Sequence, residues 1–419
     1  MSETLKFGDG NWATKEGSTL AYNDENGNFK PLPFNFERST GATRVNKQGL
    51  IEVVTNNKPR IDYKDDANGA LLLEPERTNL VTYSEDFSNA AWTKSGTSVV
   101  SGFVSPKGDL SAFKLVEDTS TAVHTINTIT SAVGSNYSLS IFAKAGERRY
   151  ISLAFSDLAE WLSQYTFDLT DGVLTDTYNF TGVTSIFKSE VLADGWYKLS
   201  LSSNYTFVTN VYSRIFIEET ATPPTIPTNS YTGDGTSGVY IFGAQLEQGS
   251  YATSYIPTQG SIGTRVAEVC IGAGNNQVIN STEGTLFIEF THVNTPLYKS
   301  IALMNVAETS VIRIYTYFNV LYFERLKTGE PTISIPVDIS AFENLTIKAA
   351  FRWALNDFKG CFNGTLTTGA TGVVFGANDL AKLDFRSAAG SIPFYGDLKQ
   401  TQVYNTALLD AELQTLTNL

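Results

Sequence analysis

The feature that most limits how this chain folds is a strict two-residue alternation of apolar and polar side chains. The run LTIKAAFRW sets Leu345, Ile347, Ala349, Phe351 and Trp353 on one side of an extended backbone and Thr346, Lys348, Ala350 and Arg352 on the other, because successive side chains of a strand point to opposite faces. The same period recurs from about residue 97 onward. In YSLSIFAKAGERRYISLAF it aligns Tyr137, Leu139, Ile141 and Ala143, and after Gly146–Glu147 it aligns Ile151, Leu153 and Phe155, which reads as a β-hairpin. DGWYKLSLS turns Tyr197, Leu199 and Leu201 inward and Lys198, Ser200 and Ser202 outward. VYIFGAQLE, apolar on both faces, fits a strand buried in a sandwich. TLFIEF, VIRIYTYF and VLYFERL continue the pattern past Ser281, and Asn363–Gly364 supplies a two-residue hairpin turn. One helix is expected, in NTALLDAELQTL, where Asn405 or Thr406 can cap and Leu409, Leu413 and Leu416 share a face. With no other helical pattern between the strands, the expected fold is all-β and built of sandwiches.

At 419 residues the chain exceeds what one hydrophobic core usually serves, so two sandwiches in series are expected. Residues 1–70 are different: their apolar runs, LIEVV and ALLLEP, are short and separated by NDENGN, STGATR and DDANG. They cannot bury a core of their own, and an extended N-terminal segment that orders by packing on a neighbour is expected there. Residues 71–258 form the first sandwich, 259–280 a linker, and 281–419 the second sandwich with the short helix. In GAQLEQGSYATSYIPTQGSIGTR, Gly243–Leu246 closes the first sandwich, Tyr251 to Pro257 crosses its rim, and Gly260–Gly263 opens the connection.

Charge narrows the partners. Thirty Lys and Arg stand against 43 Asp and Glu, a net charge of −13 at pH 7, and no basic run interrupts the balance. Such a chain repels phosphate backbones and anionic lipid, so no nucleic acid and no membrane insertion is expected. MSETLKFGDG lacks a charged region followed by an apolar core, and no window approaches the roughly 18 apolar residues of a membrane span. Cys270 and Cys361 are too few for a disulfide framework and are expected as free thiols.

Several blocks together carry a resemblance. LLLEPERTNLVTYSEDFSNAAWTKSG (71–96), KLVEDT (114–119), SIFAKAGERRYISLAF (140–155), DGWYKLSLS (194–202) and YTGDGTSGVYIFGAQLEQGSYATSYIPTQGSIGTR (231–265) resemble the head-spike or fibre domain of tailed-bacteriophage virion proteins. FNFERSTGATRVNKQGLIEVVTNNKPRIDY (34–63) is similar to the lead-in that precedes this domain. GTLFIEF (284–290), the Asn363–Gly364 turn and FYGDLKQTQVYNTALLDAELQTL (394–416) resemble concanavalin-like laminin-G domains. The resemblance implies a jelly-roll sandwich of carbohydrate-binding-module type followed by a concanavalin-like sandwich. It further implies a fibre that is a homo-oligomer, with a trimer favoured, attached to other virion proteins through the N-terminal segment.

Catalysis needs a constellation of groups, and none assembles. His124 and His292 have no Cys or carboxylate at metal-ligand spacing, so no metal is expected. No G-x-S-x-G, G-x-G-x-x-G or Walker pattern occurs. Glucanases of concanavalin-like shape present paired carboxylates along one strand as E-x-D-x-x-E, whereas TLFIEFTHV and LYFERLK carry single glutamates, Glu289 and Glu324. Asp168 and Asp171 in FDLTDG, and Asp234 in TGDGTSG, read as turn residues rather than calcium ligands. Neither an enzyme nor a cofactor is expected. Binding sugar asks less, since an aromatic ring can stack on a pyranose while polar neighbours pair with hydroxyls, and several weak sites can act together. Trp161 and Tyr165 in DLAEWLSQYTF and Tyr315, Tyr317 and Tyr322 in IYTYFNVLYF are the candidate ligand-binding residues, with rim, core or inter-chain packing as the alternative. Trp92, Trp196 and Trp353 read as core. The expectation is a virion-surface protein made in the host cytoplasm, a head or tail fibre subunit that adheres to host or environmental glycans. A purely structural decoration or connector protein and a glycan-degrading spike are the alternatives.

Overall fold

The alternating runs become strands of two β-sandwiches, and among the described residues the fold is all-β apart from one helix and two single-turn 3₁₀ segments. The computed structural model describes residues 3–15, 18–20, 33–131, 133–157, 160–207, 209–223, 229–293, 298–387 and 393–419. The chain divides into a central unit, Ala42–Val53 with Glu76–Arg265, and a terminal unit, Met1–Gly41, Val54–Pro75 and Val266–Leu419.

In the central unit one sheet runs in the order Thr93–Ser95, Thr125–Ser131, Asn210–Glu218, Tyr150–Ser156, Trp161–Asp168 and Val173–Asn179. The other runs Thr97–Phe103, Ala112–Glu117, Gly238–Gln248, Gly134–Ala145, Tyr197–Phe207 and Ser185–Val191. The inward residues are those the alternation selects: Leu139, Ile141, Ile151, Leu153, Phe155, Leu199 and Leu201 share one core. The expected hairpin at Gly146–Glu147 is corrected, because Gly134–Ala145 and Tyr150–Ser156 lie in opposite sheets. Alternation fixes which face of a strand is buried but not its neighbour. Here the two apolar faces confront each other across the core, and Arg148 N–H bonds to Gly238 O at 3.1 Å.

Lys198, Ser200 and Ser202 do point away from this core, yet they are buried as well. The segment after Gln248 covers them: Ser138 Oγ donates to Gly249 O at 2.8 Å, Lys198 Nζ to Thr253 O at 2.5 Å, and Ile256 N–H to Gln245 Oε1 at 2.7 Å. Tyr255 packs with Phe142, Trp196 and Phe242 in a second, smaller core. Gly263–Arg265 then pairs with Arg77–Asn79, so the stretch from Gly243 to Arg265 belongs to the central unit throughout.

In the terminal unit the large sheet runs Thr365–Leu366, Asp357–Phe362, Thr346–Ala354, Gly284–Thr291, Gly396–Tyr404, Ala70–Leu73 and Arg60–Asp62. It faces a five-stranded sheet ordered Ile333–Asp338, Val320–Lys327, Ser310–Tyr317, Lys299–Met304 and Lys382–Asp384. Ile347, Ala349, Phe351 and Trp353 meet Ile301, Leu303, Ile312, Ile314 and Phe323 between the sheets, while Leu345 stays exposed outside the strand. The Asn363–Gly364 turn forms as expected, with Phe362 opposite Thr365 and φ of 43° and 77°.

Residues 1–70 and 259–280 do not stand as a separate leader and linker. Leu5–Gly8 pairs with Gly396–Tyr404, Phe34–Glu37 pairs with Val269–Ile271, and Arg60–Asp62 extends the large sheet. Residues 21–32, which contain all of NDENGN, lie outside the described residues. Runs too short to bury a core satisfy their backbone groups by completing sheets built from distant sequence. A buried ionic cluster fastens them. Arg38 Nη1 bonds Glu268 Oε1 at 2.7 Å, Arg60 Nε bonds the same oxygen at 2.9 Å, and Arg60 also pairs with Glu74 at 2.9 Å. The helix is Asp410–Thr417, one turn later than a cap at Asn405 or Thr406 would give. Glu412 accepts the Leu409 N–H at 2.8 Å, Leu409 is exposed, and Leu413 packs beneath the helix against Phe287, Ala350 and Cys361.

Candidate functional site

On the five-stranded sheet of the terminal unit the residues facing away from the core form an aromatic ladder. Tyr315 stands opposite Tyr322 in the register, and their rings stack at 4.6 Å with 7° between planes. Tyr298, just before Lys299–Met304, stacks on Tyr317 at 4.1 Å and 10° and lies 6.0 Å from Tyr315. Two adjacent strands and the residue leading into a third thus carry four tyrosines in one ladder, so the structure brings Tyr315, Tyr317 and Tyr322 together and adds Tyr298. Tyr298 is 42% exposed, Tyr317 and Tyr322 are half-buried, and Tyr315 is the buried member. Arg313 braces it, with Nε donating to Glu324 Oε1 at 2.7 Å and the guanidinium carbon 4.6 Å from the Tyr315 ring. Tyr315 Oη donates to Glu324 Oε2 at 3.2 Å; burial first, then the Glu324 charge, push its phenol pKa well up, so it remains a donor. The ladder ends at Phe318, which turns the hairpin at φ 49°, is 45% exposed, and meets Tyr317 edge-on at 4.7 Å. An aromatic residue held in the left-handed region carries backbone strain of the kind that gathers at ligand sites.

The central unit places its two candidates on opposite faces. In a regular strand Trp161 and Tyr165 would point the same way. Phe155 stands opposite Ser163 but Ser156 stands opposite Trp161, which is a β-bulge. The extra residue sends Trp161 outward and Leu162 into the core beside Tyr165. Tyr165 is 5% exposed, donates to Ser185 O at 3.1 Å and accepts from Asn179 Nδ2 at 2.8 Å. It is a core residue and presents no ring to a ligand. Trp161 instead joins Arg214, whose guanidinium carbon lies 4.6 Å from the indole and 5.4 Å from the Tyr212 ring. On the same face Glu218 is buried and accepts from Ser152 Oγ at 2.9 Å, Gln164 Nε2 at 3.1 Å and Asn229 Nδ2 at 2.7 Å. Burial dominates over these bonds and pushes its pKa up to about 7.

The sequence reading missed Tyr298, Tyr212 and Arg214. The alternation in NVYSRIFIE does mark Tyr212 and Arg214 as one outward face, but nothing local shows that Trp161, two strands away, arrives beside them. Trp92, Trp196 and Trp353 are all core.

The two strand glutamates do not face each other. Glu289 on the large sheet accepts from Gln400 Nε2 at 2.6 Å, and Glu324 on the five-stranded sheet is held by Arg313. Each points away from the core, so the two lie on opposite faces of the sandwich. Grooves of about 590 Å³ beside Arg38 and Asn57 and about 510 Å³ between Ile335 and Thr368 are not lined by two carboxylates. Asp168 accepts from Thr170 within its turn and from Arg149 across the neighbouring strand, while Asp234 accepts from Thr236 and Ser237 within its own turn. His124 lies between the carbonyls of Gly96 and Tyr231, and His292 Nε2 bonds Asn319 Oδ1 at 3.1 Å.

No family model and no curated protein sequence matches this chain. Among solved structures it is similar to the CBM40 module of the Ruminococcus gnavus IT-sialidase, at 19% identity and TM-score 0.30 over 35% of this chain and 94% of that one. A Bacteroides ovatus protein described as carbohydrate-binding is similar at 13% identity and TM-score 0.28, over 73% of this chain and 82% of that one. Domains LG4-5 of the mouse laminin alpha1 chain are similar at 10% identity and TM-score 0.25, over 68% and 86% respectively. At these scores no residue role is transferred from them.

Proposed function

We propose that the protein is a non-catalytic glycan adhesin, displayed as a fibre subunit on the surface of a tailed-bacteriophage virion. The observation that carries the adhesive part is the tyrosine ladder Tyr298–Tyr317–Tyr315–Tyr322, which sets aromatic surface and phenol hydroxyls side by side on the outward face of a sheet. Rings of this kind take up the apolar face of a pyranose while their hydroxyls pair with sugar hydroxyls. Weak single sites gain by repetition, which suits an oligomeric fibre. The virion assignment rests on the ordered blocks between residues 71 and 268 that resemble phage fibre domains. The placement of Glu289 and Glu324 on opposite faces supports binding over cleavage.

A glycan array probed with the full chain and with Tyr298→Ala/Tyr322→Ala tests the adhesive reading. Retention by the parent that falls at least about tenfold in the variant is the expected result. Equal retention by both assigns the ladder to subunit packing, which light scattering of the variant would then register as a changed oligomer. Release of reducing ends from host polysaccharide would replace adhesion by a degrading spike.

A further inference from the structure

The outward face of the central unit's first sheet holds a cation, Arg214, that no carboxylate among the described residues neutralises. The register places Asn127, Arg214, Ala154, Gln164 and Tyr178 in one row across five strands, with Ile129, Tyr212, Ser156 and Trp161 in the row beside it. Ser156 Oγ accepts from Arg214 Nε at 2.9 Å, and the Trp161 and Tyr212 rings flank the guanidinium at 4.6 and 5.4 Å. Among the described residues no carboxylate pairs with it, and its two terminal nitrogens make no hydrogen bond. Three other arginines of this unit are treated differently: Arg148 is locked to Glu117, Arg149 to Asp168, and Arg77 faces Glu247 at 3.7 Å. In a chain with a 13-charge acidic excess, a half-buried arginine without an acid is conspicuous. Burial also pulls its pKa down, as it does for a cation whose compensating charge is missing. In the same row Gln164, 1% exposed, spends its amide N–H on Glu218 and leaves Oε1 without a donor.

We propose that this face is a second binding site, built around Arg214, for the carboxylate of an acidic sugar in a host or environmental polysaccharide. The inference rests on the adhesive reading above but concerns another sheet and another ligand chemistry. A guanidinium that lies over aromatic rings and bonds only through Nε has both terminal nitrogens left over, and these fit a carboxylate with two parallel bonds. The Ser156 bond and the two rings fix the plane in advance, so little ordering is needed on binding. Trp161 and Tyr212 border the carboxylate position with ring surface for the sugar, and Tyr178 in the row of Arg214 offers a partner for a hydroxyl. The acidic chain as a whole repels an anionic polymer, but beyond about 8 Å that repulsion is screened at physiological salt while the short paired contact is not.

The test is direct binding of the full chain to oligosaccharides of alginate and of polysialic acid, each beside its carboxyl-reduced form, with Arg214→Gln, Arg214→Lys and Tyr298→Ala/Tyr322→Ala as variants. The expected result is that at least one acidic oligosaccharide binds about 10- to 100-fold more tightly than its reduced form, as a charge-assisted bidentate contact gives. That preference is lost in Arg214→Gln and partly kept in Arg214→Lys, which has the charge but not the fork; in the tyrosine variant overall binding falls with the ladder while the ratio of acidic to reduced binding is kept. Reduced forms that bind as tightly as acidic ones, or a preference that survives Arg214→Gln, overturn the Arg214 site while leaving adhesion at the tyrosine ladder intact. Failure of every acidic and neutral oligosaccharide to bind the parent overturns both readings. Arg214→Gln removes an outward side chain, and a melting temperature within about 2 °C of the parent checks that the fold is kept.

Discussion

Glu218 makes the central unit's stability depend on pH in the direction opposite to that of an ordinary carboxylate. It is 1% exposed, and burial outweighs the bonds from Asn229 and Ser152, so its pKa rises from an ordinary 4.5 to about 7. Asp176 pushes it further up and His124 pulls it back. Between these two pH values the folded chain holds a proton that the unfolded chain has released. The stabilisation from this group is therefore complete below pH 4.5 and is lost as pH rises through about 7. At about 1.4 kcal/mol per pH unit the loss across that window is about 3 kcal/mol, equivalent to roughly 6–12 °C in melting temperature for a unit of this size. Glu218→Gln keeps the shape of the protonated form and removes the titration. The measurement is the melting temperature of the central unit for parent and variant from pH 4.5 to 8, read as their difference so that other groups cancel. The variant gains on the parent as pH rises, by about 6 °C or more at the upper end. Parallel curves across the window would refute the reasoning, because they would mean that Glu218 is ionised at no cost in the fold.

Three further outcomes are expected. Glu268→Gln leaves Arg38 and Arg60, both without exposed side-chain surface, short of their shared carboxylate; loss of about 3–5 kcal/mol from the terminal unit is expected by calorimetry, and a midpoint unchanged within 2 °C would contradict it. Gly360→Ala puts a methyl 2.3 Å from Cδ2 of Phe323 in the sandwich core, which costs about 1–3 kcal/mol in denaturant titration; no change would mean that the ring has room to move. Cys270 and Cys361 are free and buried, and burial raises both thiol pKa values, so a disulfide-exchange reagent is expected to label neither until the terminal unit unfolds. Rapid labelling of the native chain would show that one of them is open to solvent.

What the sequence made legible was the local pattern. Alternation picked out Leu139, Ile141, Leu199, Leu201, Phe351 and Trp353 as inward residues, and each is in a core. Pairing between distant segments was not legible, since no local pattern shows that Leu5 lies opposite Val403 or that Gly134–Ala145 and Tyr150–Ser156 part into different sheets. The candidate site divides in the same way. Tyr315, Tyr317 and Tyr322 sit on neighbouring strands of one hairpin, so their spacing carried their grouping. Trp161 and Tyr165 were separated by one inserted residue in the Trp161–Asp168 strand, and a bulge of that kind leaves no mark in composition or period. Arg214 was overlooked because its interest lies in an absent partner, which only the assembled sheet displays.

The pairing of the first strand with the last has a consequence for biosynthesis. Thr4 bonds to Val403, 399 positions later, so at about 5–20 residues per second the leading strands wait roughly 20–80 s for their mates to leave the ribosome. The central unit, whose strands are contained between Ala42 and Arg265, has its partners in hand much earlier. During that interval Leu5, Phe7, Phe34 and Phe36 have no finished sheet to enter, and nascent chains crowded on one message are most prone to tangle there. Slowing translation after Arg265 would lengthen this vulnerable period, and supplying a holding chaperone would shield it.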